Sequence, residues 1–133
     1  MQSWLKRNWA SAKTTRGIGE KAERLAQEYL EQNGLKLITK NYHSPRGEID
    51  LIMEEGNFRV FIEVRYRKNN NYGSAAESIT REKQRRLLAT ANHYMQNEKL
   101  FRDSSCRFDV ITVSGQYNTQ VEWIKNAFQA EAP

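Results

Sequence analysis

Between residues 20 and 32 the apolar positions Ala22, Leu25, Ala26, Tyr29 and Leu30 fall at i, i+3, i+4, i+7 and i+8, the period of a helix that buries one stripe. Gly34 stands where a helix C-terminus favours it, and Gly17 and Gly19 read as the turn before it. The pattern therefore predicts a helix over 20–32 with Glu20 in its first turn, against the positive end of the helix dipole. Residues 35–41 read as a strand, Ser44-Pro45-Arg46-Gly47 as a turn, and 48–54 and 58–67 as two strands joined through Gly56-Asn57. The polar stretch 68–74, with its run of asparagines, reads as a loop. Thr80 can cap a second helix running to about residue 96, whose stripe is Gln84, Leu87, Leu88, Ala91, Tyr94 and Met95. Lys83 lies one turn before Leu87, at the edge of that buried face. RFDVITVS at 107–114 and VEWIK at 121–125 predict two further strands, giving the order α-β-β-β-α-β-β.

A chain of 133 residues holds about one domain. We read residues 1–16 as a basic arm, where Trp4 and Trp9 mix with Lys6, Arg7, Lys13 and Arg16, and 17–133 as a single domain. With 21 Lys and Arg against 16 Asp and Glu, the net charge of +5 favours a polyanionic partner. The single cysteine, Cys106, forms no internal disulfide and reads as a small buried residue. His43 and His93 are isolated in sequence and carry no ligand role, so no structural zinc site is expected. No apolar run reaches the roughly 18–20 residues of a membrane span, and residues 1–16 lack the roughly 7–15-residue apolar core expected of a signal peptide. The expected location is cytoplasmic.

The hairpin at 48–67 carries the candidate chemistry. Strand alternation puts Glu48, Asp50 and Ile52 on one face and Ile49, Leu51 and Met53 on the other. On the next strand Val60, Ile62, Val64 and Tyr66 oppose Phe61, Glu63, Arg65 and Arg67, so burying both apolar sets gathers the charged sets on the far side. A Gly56-Asn57 loop places Asp50 opposite Glu63 and Glu48 opposite Arg65. A Glu55-Gly56 loop would instead place Asp50 opposite Phe61 and Glu48 opposite Glu63. Directly opposed side chains have Cβ atoms about 4.5–5.5 Å apart, and two carboxylates at that distance call for a cation between them. The plainer reading is solvent-facing charges on the open side of a sheet, with Glu48–Arg65 a surface ion pair.

GEIDLI at 47–52, FIEVRYR at 61–67 and CRFDVI at 106–111, with Gly17-x-Gly19-Glu20 upstream and Lys83 downstream, resemble the bacterial YraN-like family over nearly the whole chain. That family is grouped with the PD-(D/E)xK nucleases and with archaeal Holliday junction resolvases. The resemblance implies a restriction-endonuclease-like α/β fold, with a central mixed sheet of about five strands flanked by helices. It also implies an endonuclease site in which Asp50, Glu63, the backbone carbonyl of Val64 and the helical acid Glu20 bind Mg²⁺ or Mn²⁺. A hard, oxygen-ligated cation would stabilise charge developing on phosphorus and lower the pKa of bound water.

The sequence departs from that motif at Arg65, which stands where the superfamily has lysine. Arginine stays protonated and cannot serve as a general base, but it can hold a phosphate with two hydrogen bonds. Lys83 is the candidate for an ammonium supplied from the second helix instead; the alternative is a plain helix-surface cation. Arg107 and Asp109, between the core residues Phe108 and Val110, read as a structural ion pair. Two functional readings follow. One is a metal-dependent endonuclease acting on DNA, including branched structures, with Arg65, Arg67, Lys68, Arg81, Lys83, Arg85 and Arg86 on the phosphates and a homodimer as in junction resolvases. The other is a nuclease-fold module that binds nucleic acid or a protein partner without cutting.

Overall fold

The computed structural model describes residues 15–68, 79–98, 105–115 and 119–129. The basic arm before residue 15 and most of the predicted 68–74 loop lie outside the described residues. In chain order the elements are α1 (Thr15–Gln32), β1 (Lys36–Ser44), β2 (Gly47–Glu55), β3 (Phe58–Arg67), α2 (Arg81–Asn97), β4 (Ser105–Ser114) and β5 (Gln120–Phe128). This is the α-β-β-β-α-β-β order that the hydrophobic pattern predicts. The strands form one mixed sheet in the order β1-β2-β3-β4-β5. The β3–β4 pair is parallel and the others are antiparallel. A parallel pair requires a long crossover, and α2 lies within it.

Each helix covers one face of the sheet. Ala22, Leu25, Ala26 and Leu30 of α1 pack on Leu51, Met53, Val60, Ile62, Ile111 and Val113. Leu87, Ala91 and Tyr94 of α2 pack on Ile49, Ile52, Phe61 and Phe108. The face carrying Phe61 and Glu63 is therefore covered by α2, not open as the hairpin alone suggested. The alternation along β2 also fails at one point. Ile49 joins Ile52 on the α2 side while Leu51 and Met53 stay on the α1 side, which a regular strand does not allow. The break lies at Asp50. Beside it on β1, between the pairs Lys40↔Leu51 and Tyr42↔Ile49, Asn41 adopts a left-handed φ of 53°. An irregularity of this kind re-aims the side chains that follow it.

The α1 helix begins at Thr15 and runs through Gly17 and Gly19, which do not form a turn ahead of it. Glu20 accordingly lies in the second turn rather than the first. At the other end Gly34, at φ 96°, closes the helix as expected, with Leu35 N–H donating to the Leu30 carbonyl and Gly34 N–H to that of Glu31.

Gly47 at the start of β2 has φ 150°, and a Cβ there would stand 3.3 Å from Thr90 Oγ1 and 3.7 Å from Arg86 Cβ. Thr90 is fully buried and donates to the Arg86 carbonyl at 2.8 Å. The missing side chain thus lets α2 approach the start of β2. Gly47→Ala is expected to destabilise the protein by about 1–3 kcal/mol. Gly19→Ala, whose Cβ would meet nothing within 4 Å, is expected to stabilise it by up to about 1 kcal/mol. Urea unfolding of the two variants checks both signs.

Candidate active site

The turn residues Gly56-Asn57 fix the β2–β3 register, which runs from Glu55↔Phe58 to Leu51↔Ile62. Extending it by one step brings Asp50 across from Glu63, the first of the two registers considered above. At that step the backbone ladder gives way to a side chain: Asp50 Oδ2 accepts the Val64 N–H at 2.8 Å. The carboxylate is thereby held between the two strands.

Glu63 is 6% exposed. Its Oε1 lies 3.3 Å from Lys83 Nζ and 4.0 Å from Arg65 Nη1. Lys83 belongs to the first turn of α2, which is fixed by Thr80: its Oγ1 accepts the Lys83 N–H at 3.1 Å. The ammonium at the edge of the buried helix face is thus delivered to Glu63, and the shorter of the two cation contacts comes from the helix. The Glu48–Arg65 pairing is not formed, because the ladder ends before reaching it. Glu48 pairs in register with His43 of β1, with 3.2 Å between Oε2 and Nδ1.

Burial dominates the electrostatics. The Glu63 carboxyl is pushed up to about 7, first by burial and then by Asp50, against the lowering effects of Lys83 and Arg65. Asp50 is raised by burial and by Glu48, opposed by the Val64 N–H, Lys83 and Arg65. A third carboxyl, Glu23 of α1, is pushed up to about 7 by burial and then by Asp50, Glu48 and Glu20. Glu23 was not singled out by sequence. Its signal was position: it follows buried Ala22 and precedes buried Leu25 and Ala26, where a helix surface charge is not fully solvated.

Glu20 is exposed and lines a cavity with Glu23, Arg24, Gln27, Lys40, Asn41 and Leu51. Neither Asp50 nor Glu63 is among those lining residues. Among the described residues, no three His, Cys, Asp or Glu side chains come together as a ready metal-binding group. Two side-chain carboxylates and the adjacent backbone are what the fold assembles. Of the predicted phosphate-binding set, Arg65 and Arg67 are half-buried, Lys68, Arg81, Arg85 and Arg86 are exposed, and Lys83 is half-buried. They lie along the C-terminal end of β3 and the N-terminal half of α2, which the Lys83–Glu63 contact draws together.

Arg107 and Asp109 are structural, as expected. Asp109, 1% exposed, accepts from Arg107 Nε at 2.9 Å and Nη2 at 3.0 Å, from Trp123 Nε1 at 2.9 Å and from Asn126 N–H at 2.9 Å. Arg107 also donates to Glu55 at 2.7 Å. Cys106 is exposed rather than buried, since it lies at the outer start of β4. His93 Nδ1 lies 2.7 Å from the Tyr42 hydroxyl.

Fold and site together define a mixed five-stranded α/β domain in which two carboxylates and a helix lysine converge at the point where β2 and β3 part. Residues 22–113 match the profile of the uncharacterised protein family UPF0102. A UPF0102 protein of Legionella pneumophila (strain Corby) is 47% identical over 116 residues, 87% of this chain and 98% of the relative. A UPF0102 protein of Nitrosococcus oceani is 46% identical over 120 residues, 90% of this chain and 97% of the relative. The chain belongs to the UPF0102 family, the YraN-like group that its motifs resemble. No helix among the described residues is long and apolar enough to cross a membrane.

The raised Glu63 carboxyl has a stability consequence with a definite sign. The folded state holds its proton more tightly than the unfolded chain, so this contribution is full below pH 4.5 and is lost as pH rises through about 7. Glu63→Gln removes that loss. Relative to the parent chain, the variant is expected to gain about 1–3 kcal/mol between pH 5 and pH 8. Urea midpoints of both proteins at the two pH values measure it, and a constant difference would contradict the assignment.

Proposed function

We propose that the chain is a divalent-cation-dependent endonuclease acting on DNA phosphodiesters, with Asp50 and Glu63 as its central acids. The observation that carries this reading is the meeting of half-buried Asp50, held by the Val64 N–H at 2.8 Å, with buried Glu63 where β2 and β3 part; both carboxyls are raised although Lys83 and Arg65 stand beside Glu63. Two organic cations do not offset the burial of two carboxylates, and a hard cation with oxygen ligands fits what is left. Asp50, Glu63 and the Val64 carbonyl would hold it, with Glu23, rather than exposed Glu20, as the helical acid on the α1 side. Mg²⁺ or Mn²⁺ bound there supplies Lewis acidity at a phosphoryl oxygen and a water of lowered pKa.

The remaining roles belong to the chain's own groups. Lys83, capped in place by Thr80, orients the attacking water or steadies the phosphate through its ammonium. Arg65 holds a phosphate oxygen without taking a proton. Arg67, Lys68, Arg81, Arg85 and Arg86 neutralise neighbouring phosphates, which makes binding fall steeply with salt.

A second reading, a module that binds nucleic acid without cutting, is favoured by arginine at position 65 and by the Lys83 ammonium already 3.3 Å from Glu63. The long 4.0 Å Arg65–Glu63 contact weighs against it, since it is not a closed pair that would shut the site. Cleavage of duplex, single-stranded, flap and four-way-junction DNA in Mn²⁺ or Mg²⁺ separates the two. The nuclease reading predicts cleavage that falls at least about 100-fold in Asp50→Ala and Glu63→Ala, and about 100-fold in Lys83→Ala, comparable to removing a group that stabilises transition-state charge. Binding without cleavage, or cleavage equal in all four proteins, selects the second.

A further inference from the structure

Glu20, Glu23, Arg24 and Gln27 recur at i, i+3, i+4 and i+7 along α1, next to the apolar stripe that packs on the sheet. Glu23 and Gln27 of this polar stripe are half-buried, while Glu20 and Arg24 are exposed at its rim. With Lys40, Asn41 and Leu51 the stripe lines a cavity of about 270 Å³ between the helix and the sheet. The cavity lies where the sheet is irregular. Asn41 has its left-handed backbone there, and Leu51 is the residue after Asp50. Arg24, Gln27, Lys40 and Asn41 have no part in the roles assigned above.

The lining has a particular chemistry. The Gln27 and Asn41 amides are planar donors and acceptors of the kind that read base edges. The Arg24 guanidinium offers a flat surface for stacking, and Leu51 supplies an apolar wall. At ~30 Å³ per water the volume corresponds to roughly nine waters, close to the ten heavy atoms of a purine ring with its amino group. An enclosed metal site would be smaller and lined by oxygen alone.

We propose that this cavity receives one unstacked nucleobase from the strand whose phosphate lies at Asp50 and Glu63, so that the protein selects nucleic acid carrying an unpaired nucleotide. The inference rests on the nucleic-acid reading above and adds the substrate feature. A base in an intact duplex must be unpaired and unstacked before entering, whereas a bulged or mismatched base is already partly free. Gln27 and Arg24 act as specificity-determining residues on this view.

Binding in Ca²⁺, which holds the complex without requiring turnover, tests it by fluorescence anisotropy with three labelled duplexes of one sequence. One is fully paired, one carries a single bulged adenosine, and one carries an abasic bulge of the same backbone. The expected result is binding of the bulged adenosine at least 10-fold tighter than the abasic bulge. Gln27→Ala and Arg24→Ala, with helical circular dichroism unchanged, are each expected to reduce that ratio at least 3-fold while fully paired binding stays within 2-fold. Equal affinity for the base-containing and abasic bulges, with duplex binding intact, overturns the cavity assignment and leaves the nucleic-acid reading standing. The same holds if the ratio survives in both variants. Absence of binding to all three duplexes overturns both.

Discussion

The hydrogen bond from Val64 N–H to the Asp50 carboxylate fixes the geometry on which the site depends. An antiparallel pair normally satisfies its buried N–H groups with backbone carbonyls. Here a side chain substitutes for the carbonyl, which lets β2 and β3 part without leaving a buried donor unmatched. The same substitution holds an acid beside Glu63 of the next strand. The switch of Ile49 and Ile52 to one core and of Leu51 and Met53 to the other follows from the irregularity at this point.

The molecule contains its own control for what such an arrangement means. Asp109 also accepts a backbone N–H from a neighbouring strand, that of Asn126, which has a left-handed φ of 53°. Yet Asp109 is matched by two hydrogen bonds from Arg107 and one from Trp123. Arg107 holds Glu55 below the usual carboxylate range through a direct hydrogen bond. Around Asp50 and Glu63 the balance differs. Both acids are raised by burial in spite of nearby cations. Buried Asp109 locks β4 to β5; half-buried Asp50 belongs to a site where burial outweighs the neighbouring cations.

Much of this was legible in the sequence because short-range rules determine it. Gly56-Asn57 between two apolar runs sets a two-residue turn, and the turn alone aligns Asp50 with Glu63. Thr80 and the spacing of Leu87, Ala91 and Tyr94 set the phase of α2, and that phase sends Lys83 inward. What escaped the sequence depends on contacts between distant segments. The break at Asp50 requires Val64 on another strand, and the coverage of the Phe61 face requires α2 to return across the sheet. Gly17 and Gly19 read as breakers, yet the helix was already under way from Thr15. Glu23 carries no sequence mark beyond its place beside the apolar stripe, and its partial burial depends on β1 and β2 beneath it. Cys106 sits beside the buried Phe108 in sequence but at an uncovered strand start in space.

The claim that Asp50 and Glu63 form one under-neutralised cation site is tested most directly by titrating the protein with Mn²⁺ near pH 7, using calorimetry in two buffers of different ionisation heat. The account predicts one ion per chain, bound with release of a fraction of a proton as the raised carboxyls ionise, and loss of both signals in Asp50→Asn and in Glu63→Gln. Mn²⁺ binding that is absent at millimolar concentration, or that proceeds unchanged in both variants, would contradict it.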